Sequence, residues 1–331
     1  MDFAVRTAGI ALLIVVLVDA LWTTVWIDGG GGPLTARLSV GLWRAARVST
    51  RSHRHHLLSV SGPVILLTVF AVWVALLLAG WALIFASADA VVLDSRTQQP
   101  AGAVGLLYFV AYSVFTLGNG DYAPQGEPWQ LATAAMAGSG LFLITLAITY
   151  LLPVLSAVVD KRALASQISA LGSNPAQIVI TAWDGHGFAG FALQLVVLTS
   201  MLGRLAEQHL AYPVLHFFHT PDRQKASAPA IASLDEALTV MQLAVPAQHR
   251  LAPVVLQPAR RAIASYLETV ASPMLGSADR TPPPPDLTEV SHARIPTLAY
   301  DEFTAALDGL ADRRRQLATL VLNGGWTWEE L

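Results

Sequence analysis

Apolar positions along this chain gather into three long, nearly uninterrupted runs, Phe3–Ile27, Gly62–Phe85 and Trp129–Leu152. Each offers about 20 predominantly apolar residues, enough for a helix to cross a hydrocarbon core of roughly 30 Å. Between the second and third runs lies a shorter apolar and aromatic stretch, Gly102–Phe115, which predicts a helix of about three turns, too short to span. Beyond about Arg162 the pattern changes: apolar residues recur at helical spacing among polar ones and predict helices over 228–244, 248–271 and 300–323. Gly187–Gly203 is apolar but short and contains Gln194, so it predicts a buried helix rather than a fourth span. Pro282–Pro285 reads as a stiff linker. Behind it Asp301–Leu322 is amphipathic and carries Arg313, Arg314 and Arg315, a face expected to serve self-association. The fold class is an all-α membrane protein with three transmembrane helices and a helical C-terminal domain.

Composition sharpens this picture. Hydrophobic residues make up 54% and charged residues 13%, against roughly 25% charged in globular chains. The absence of cysteine excludes disulfides and thiolate metal sites. The first run is expected to be a retained span rather than a cleaved signal, because its front carries only Arg6 against Asp2 and no small-residue cleavage site follows Trp26. Basic residues set the orientation. Arg37, Arg44, Arg47, Arg51 and Arg54 lie between the first two runs, with Asp28 the only acid, and Lys161 and Arg162 follow the third. Asp89 and Asp94 outnumber Arg96 in the 86–101 connection. The first connection and the C-terminus are therefore predicted to be cytoplasmic, and the N-terminus and the 86–101 connection external, in a bacterial-type plasma membrane. The five arginines, spaced 7, 3, 4 and 3 apart, share one helical face. They predict an amphipathic helix over 36–58 on the inner leaflet, touching anionic headgroups, with Trp43 as interfacial anchor. His53, His55 and His56 read as solvated loop residues. Asp19, inside the first run, is costly at membrane depth and is expected to pair with a neighbouring helix or to hydrate at the interface.

The densest chemistry lies at Thr116-Leu117-Gly118-Asn119-Gly120-Asp121, after the short apolar helix and before the third run. Successive carbonyls can face one side of a strand only if alternate residues reach dihedrals that side chains resist, and Gly118 and Gly120 allow this. The stretch resembles the pore loop of the potassium-channel superfamily, whose signature reads Thr-Val/Ile-Gly-Tyr/Phe-Gly-Asp. The resemblance implies a re-entrant pore helix over Gly102–Phe115, with its dipole favouring a cation at its C-terminal end. It also implies a selectivity filter over Thr116–Gly120 and an inner helix in the third run. By that resemblance the carbonyls of Thr116, Leu117, Gly118 and Asn119, with the Thr116 hydroxyl, are the ion ligands. Tyr108, Phe109, Tyr112 and Asp121 would support the filter from behind and at its outer exit. Four copies are implied around one axis, a homotetramer conducting K+ first among cations, with no bound cofactor and no chemistry performed.

Two positions depart from the family pattern. Phe115 replaces the first threonine, and Asn119 replaces the aromatic that braces the filter. Asparagine tolerates unusual dihedrals but cannot fill the same volume. A weakly selective or sodium-conducting channel therefore stays open, as does a non-conducting membrane sensor or scaffold. Gly138-Ser139-Gly140 and Pro153 in the third run read either as a gating hinge or as close helix packing, and Thr145 and Thr149 as cavity-lining residues. The expected division is 1–61 for the first span and amphipathic helix, 62–160 for the pore domain and 161–331 for the cytoplasmic helical domain. Within the last, Asp184-Gly185-His186-Gly187-Phe188-Ala189-Gly190 follows an Ile-Val-Ile run and formally matches a dinucleotide-binding loop. The required alternation of strands and helices is missing, and no dinucleotide is expected. Asp184, His186, His209, His216 and His219 lack fixed ligand spacing, so no metal beyond the permeant cation is expected either.

Overall fold

The three apolar runs become three long helices in a computed structural model, which describes residues 2–27, 30–49, 54–270 and 278–331. Helix α1 covers Phe3–Val25, and Asp2 starts it by accepting hydrogen bonds from the amides of Ala4 and Val5. Helix α2 covers Pro33–Ser49, with proline at its first position, where no N–H is needed. Helix α3 covers Arg54–Ser59; between it and α2 the helix predicted over 36–58 runs through residues 50–53, which are not among the described residues. Asp28, Arg51 and His53 lie outside the described residues. Helix α4 covers Ser61–Ala86, α5 Ala103–Val114 and α6 Glu127–Ser169. Helix α6 passes unbroken through Pro153 and well beyond the predicted end at Leu152. A short sheet was not predicted: strand β1 (Val92–Asp94) pairs antiparallel with β2 (Tyr122–Pro124), with Leu93 opposite Ala123.

The chain divides into two compact units. The first contains the residues up to Ser39 and Val64–Pro153. Its core joins Val16 of α1, Val69, Trp73, Leu77 and Phe85 of α4, Phe109 of α5, and Met136 and Leu143 of α6. Helices α1 and α4 touch through glycines: a Cβ on Gly9 would stand 2.6 Å from the Gly80 carbonyl oxygen, the close approach that small residues allow between membrane helices.

Asp19 is 2% exposed, and its partners explain its place in an apolar helix. Its carboxylate accepts from the amide of Leu34 (2.8 Å), the amide and hydroxyl of Thr35 (3.2 and 2.6 Å) and the indole N–H of Trp73 (2.9 Å). It therefore caps the N-terminus of α2, where a negative charge meets the positive end of the helix dipole, and ties α1 to α4 through Trp73.

The second unit contains Val40–Pro63 and Val154–Leu331. It adds α7 (Pro175–Ala182), α8 (Ala192–Ala211), α9 (Ser227–Thr239), α10 (Pro253–Val270), α11 (Thr288–His292), α12 (Tyr300–Leu307) and α13 (Ala311–Asn323). Helix α9 is the centre: all of its residues are buried. Helix α8 packs on α10, burying Leu195, Leu198, Leu202 and Leu205 and leaving Leu193, Val196 and Val197 exposed. It is thus half-buried, and with Ala189–Phe191 it is one of four described helices long and apolar enough to cross a bilayer.

Three expectations need correction here. The arginine triplet does not present a self-association face. Arg313 forms a fork of 2.9 and 2.6 Å on Asp235, and Arg314 one of 2.8 and 2.9 Å on Glu236, both acids belonging to buried α9. Arg260 adds a further contact of 2.8 Å to Asp235. Trp43 is fully buried rather than interfacial, packed on Phe217 and His216. His55 is no solvated residue: its Nδ1 lies 3.0 Å from His219 Nε2 and its ring stacks on Trp326.

Candidate functional site

Helix α5 stops at Phe115, and the chain then enters an alternating backbone. Thr116 has φ of 57°, Gly118 of 61° and Gly120 of 75°. Three alternate residues thus hold positive φ, the alternation that lets successive carbonyls face one side of a strand. Glycine reaches this region freely, whereas Thr116 holds it at about 1–2 kcal/mol. The amides of Thr116 and Leu117 donate back to the carbonyls of Ser113 (3.1 Å) and Tyr112 (2.8 Å), anchoring the strand to the end of α5.

The carbonyl oxygens of Thr116, Leu117, Gly118 and Asn119 accept no hydrogen bond from any described residue. All four residues are exposed, Leu117 by 65%. Gly120 differs: its carbonyl accepts from the Ser95 hydroxyl at 2.7 Å, while the Ser95 amide donates to the Asp121 carbonyl at 2.9 Å. Gly120 therefore shapes the strand, and its oxygen is already engaged. Nothing in the sequence marked Ser95. Asp94 precedes it and accepts from the amides of Arg96 and Thr97; those bonds, Thr97 first, hold its carboxyl below the ordinary value. The Asp-Ser-Arg-Thr cluster is a readable turn signal, but its pairing with the loop across the β1–β2 ladder is not.

Behind the strand, the Asn119 amide donates to the Tyr108 hydroxyl at 2.6 Å, and that hydroxyl donates to Asp121 at 3.0 Å. The Tyr112 hydroxyl donates to the Tyr122 carbonyl at 2.6 Å. Phe109 is buried, with its ring edge-on to Phe85 (5.3 Å) and Tyr112 (5.6 Å). Tyr108, Phe109, Tyr112, Asn119 and Asp121 are thus brought together around the strand by one aromatic cluster and one hydrogen-bonded chain.

The three candidate hinge residues all lie within unbroken α6. Gly138 faces open space, whereas a Cβ on Gly140 would stand 2.0 Å from the Val114 carbonyl oxygen. Between them Ser139 accepts from the Trp81 indole at 3.0 Å. Thr145 and Thr149 are exposed on the same helix. On α2, Arg37 and Arg44 are exposed and Arg47 is half-buried; Arg54 opens α3.

The glycine-rich loop of the second unit is not built for phosphate. Ile178-Val179-Ile180 lies in helix α7 rather than a strand. The amides of His186 and Gly187, which would face a ligand, are taken by Asp184 at 2.9 and 2.8 Å. Among the described residues no three His, Asp or Glu side chains converge as metal ligands.

Residues 64–157 match the model of a protein family described as an ion channel. The chain is also 38% identical over 321 residues to an uncharacterised membrane protein, YdjJ, of Bacillus subtilis strain 168, covering 97% of this chain and 94% of that one. No solved structure matches.

Proposed function

This chain belongs to the pore-loop ion-channel family, and from that premise we propose that four copies form a passive cation channel with K+ the first permeant ion. One observation carries this reading: four consecutive carbonyls, Thr116 to Asn119, on exposed residues and without partners among the described residues. Unmade hydrogen bonds are expensive wherever water is excluded. An unhydrated cation on the axis of a ring of such strands supplies what the carbonyls lack, and a single strand supplies a quarter of the ring. The Thr116 hydroxyl extends the ligand set inward. Thr145 and Thr149 line the cavity below, and exposed Leu141, Ile148 and Leu152 give α6 its surface toward other copies. The N-terminus lies outside, α2 lies on the inner leaflet with Arg37, Arg44 and Arg47 toward anionic headgroups, and the second unit is cytoplasmic.

Reconstitution into liposomes with K+ and Na+ flux, beside native mass measurement in nanodiscs, tests the reading. The expected result is a tetramer that passes monovalent cations. A dominant monomer or dimer, or sealed liposomes, would leave a sensor or scaffold instead.

A second reading, weak selectivity, is favoured by Asn119. Its amide–Tyr108–Asp121 chain replaces an aromatic brace with two hydrogen bonds, each contributing about 1 kcal/mol, so the ring is held less rigidly than by packed aromatics. The expected K+ preference is therefore modest. Asn119→Tyr strips the amide from Tyr108 and sets a ring against the Tyr108 hydroxyl, which lies 2.6 Å from the amide it replaces. It is expected to lower K+ flux on the order of tenfold rather than sharpen discrimination. Reversal potentials under K+/Na+ gradients read this directly; undiminished flux with stronger K+ preference would mean that the space behind the filter is empty.

A further inference from the structure

The 86–101 connection folds back on both ends of the segment that carries the four open carbonyls. Residues 92–94 and 99–101 lie against each other as a tight hairpin. The Ala101 amide donates to the Val92 carbonyl and the Asp94 amide to the Gln99 carbonyl, both at 2.9 Å, and Leu93 bridges to Pro100. Gln98, at the tip, takes φ of 59°. The other edge of β1 pairs with β2, and the Gln125 amide donates to the Val91 carbonyl at 2.8 Å. One short strand thus grips the chain where it enters α5 and again where it leaves the loop. These bonds are all between backbone groups, so the hairpin does not depend on the side chain of Ser95.

Ser95 is the residue that follows β1, and it is exposed. Its amide carries the ladder one step further, to the Asp121 carbonyl at 2.9 Å, and its hydroxyl donates to the Gly120 carbonyl at 2.7 Å. It therefore fixes two consecutive peptide planes at the end of the loop. The neighbours of Gly120 are tied by their side chains: the Asn119 amide and the Asp121 carboxylate both meet the Tyr108 hydroxyl. Gly120 has no side chain to tie. With φ of 75° and no Cβ, its peptide meets little steric resistance to turning over. The Ser95 hydroxyl is what holds that plane.

We propose that Ser95 is a positioning residue of the ion path, an inference that rests on the channel reading. Its hydroxyl fixes the Gly120 peptide and, one Cα away, the Asn119 carbonyl, the last of the four proposed ligands. The hairpin so supplies from the 86–101 side a part of the bracing that an aromatic at 119 would supply from behind. Selectivity among cations depends on the number of carbonyls and on how firmly they are held. Without the hydroxyl, the peptide turns at glycine and the Asn119 ring closes on an ion smaller than K+.

The test uses the full chain in liposomes, with reversal potentials under K+/Na+ gradients and tetramer yield measured together. Ser95→Ala removes the hydroxyl and keeps the amide bond to Asp121; Ser95→Thr keeps a hydroxyl; Gln99→Ala, in the same hairpin, is the control. Ser95→Ala is expected to lower the K+/Na+ permeability ratio about fivefold, or to unity where the unmodified ratio is smaller than that, at unchanged tetramer yield. Ser95→Thr is expected to restore the ratio, and Gln99→Ala to leave it as it was. A Ser95→Ala ratio equal to that of the unmodified chain overturns the proposal. So does a fall that Gln99→Ala shares or that threonine fails to rescue, a loss of tetramer at constant ratio, or an unmodified ratio of one. An unmodified chain that passes no cation removes the channel reading and this inference with it, whereas conduction indifferent to Ser95→Ala removes this inference alone.

Discussion

Gly140→Ala is expected to abolish conduction, while Gly138→Ala, two residues away on the same helix, leaves it intact. The added methyl at 140 would lie 2.0 Å from the Val114 carbonyl oxygen and 2.8 Å from its carbon. Both are backbone atoms at the last turn of α5, and Val114 is itself buried. No rotamer change relieves such a contact; α5 or α6 must move. Overpacking of this kind costs about 1–3 kcal/mol or more, and the displaced element is the one from which Thr116 and Leu117 hang by their amides. At Gly138 nothing lies within reach of a methyl, and alanine gains about 1 kcal/mol of helix propensity over glycine. Flux and tetramer yield, measured on both variants, separate packing from hinging. If Gly140 were instead a hinge, its alanine variant would keep the assembly and change only the open probability.

Asp235→Ala is expected to destabilise the second unit by about 3–5 kcal/mol, since removing one member of a buried ion cluster leaves uncompensated charge behind. Asp235 is 0% exposed and serves both Arg260 and Arg313; without it two guanidiniums are stranded beside α9. For a unit of this size the loss corresponds to a fall in melting temperature of roughly 6–20 °C. Arg315→Ala is the internal control, because its pairing with Asp312 is solvent-exposed and such pairs contribute about 0–1 kcal/mol. Thermal unfolding followed by circular dichroism on the two variants reads the difference. Equal, small shifts would mean that the buried cluster is no stronger than the exposed pair.

The three long helices and the Thr-x-Gly-x-Gly-Asp loop were legible because their causes are local. A span needs an unbroken apolar run, and a strand with alternating left-handed residues favours glycine where they fall, as at Gly118 and Gly120. Partners distant in sequence left no such trace. Ser95 meets Gly120 and Gly140 meets Val114 only after the chain has doubled back. The triplet Arg313-Arg314-Arg315 shows why charge runs mislead: two of its members complete acids 78 residues earlier, and only Arg315 behaves as the pattern suggests. The glycine loop after α7 failed in the opposite way, its motif intact but its preceding strand a helix. His55 was hidden because its aromatic and histidine partners come from the far end of the chain.

The bonds around Asp19 also bear on the order in which the chain can be built into a membrane. A ribosome delivers Asp19 before every partner that satisfies its carboxylate: Leu34 and Thr35 follow at 15 and 16 residues, and Trp73 only after 54. Until then, α1 alone carries a bare acid into lipid at about 2.5–3.5 kcal/mol on insertion scales. The first helix therefore has reason to linger at the translocon or the headgroup layer until α4 emerges. The smallest piece of this chain that carries Asp19 into lipid with its carboxylate satisfied is α1, the start of α2 and α4 together.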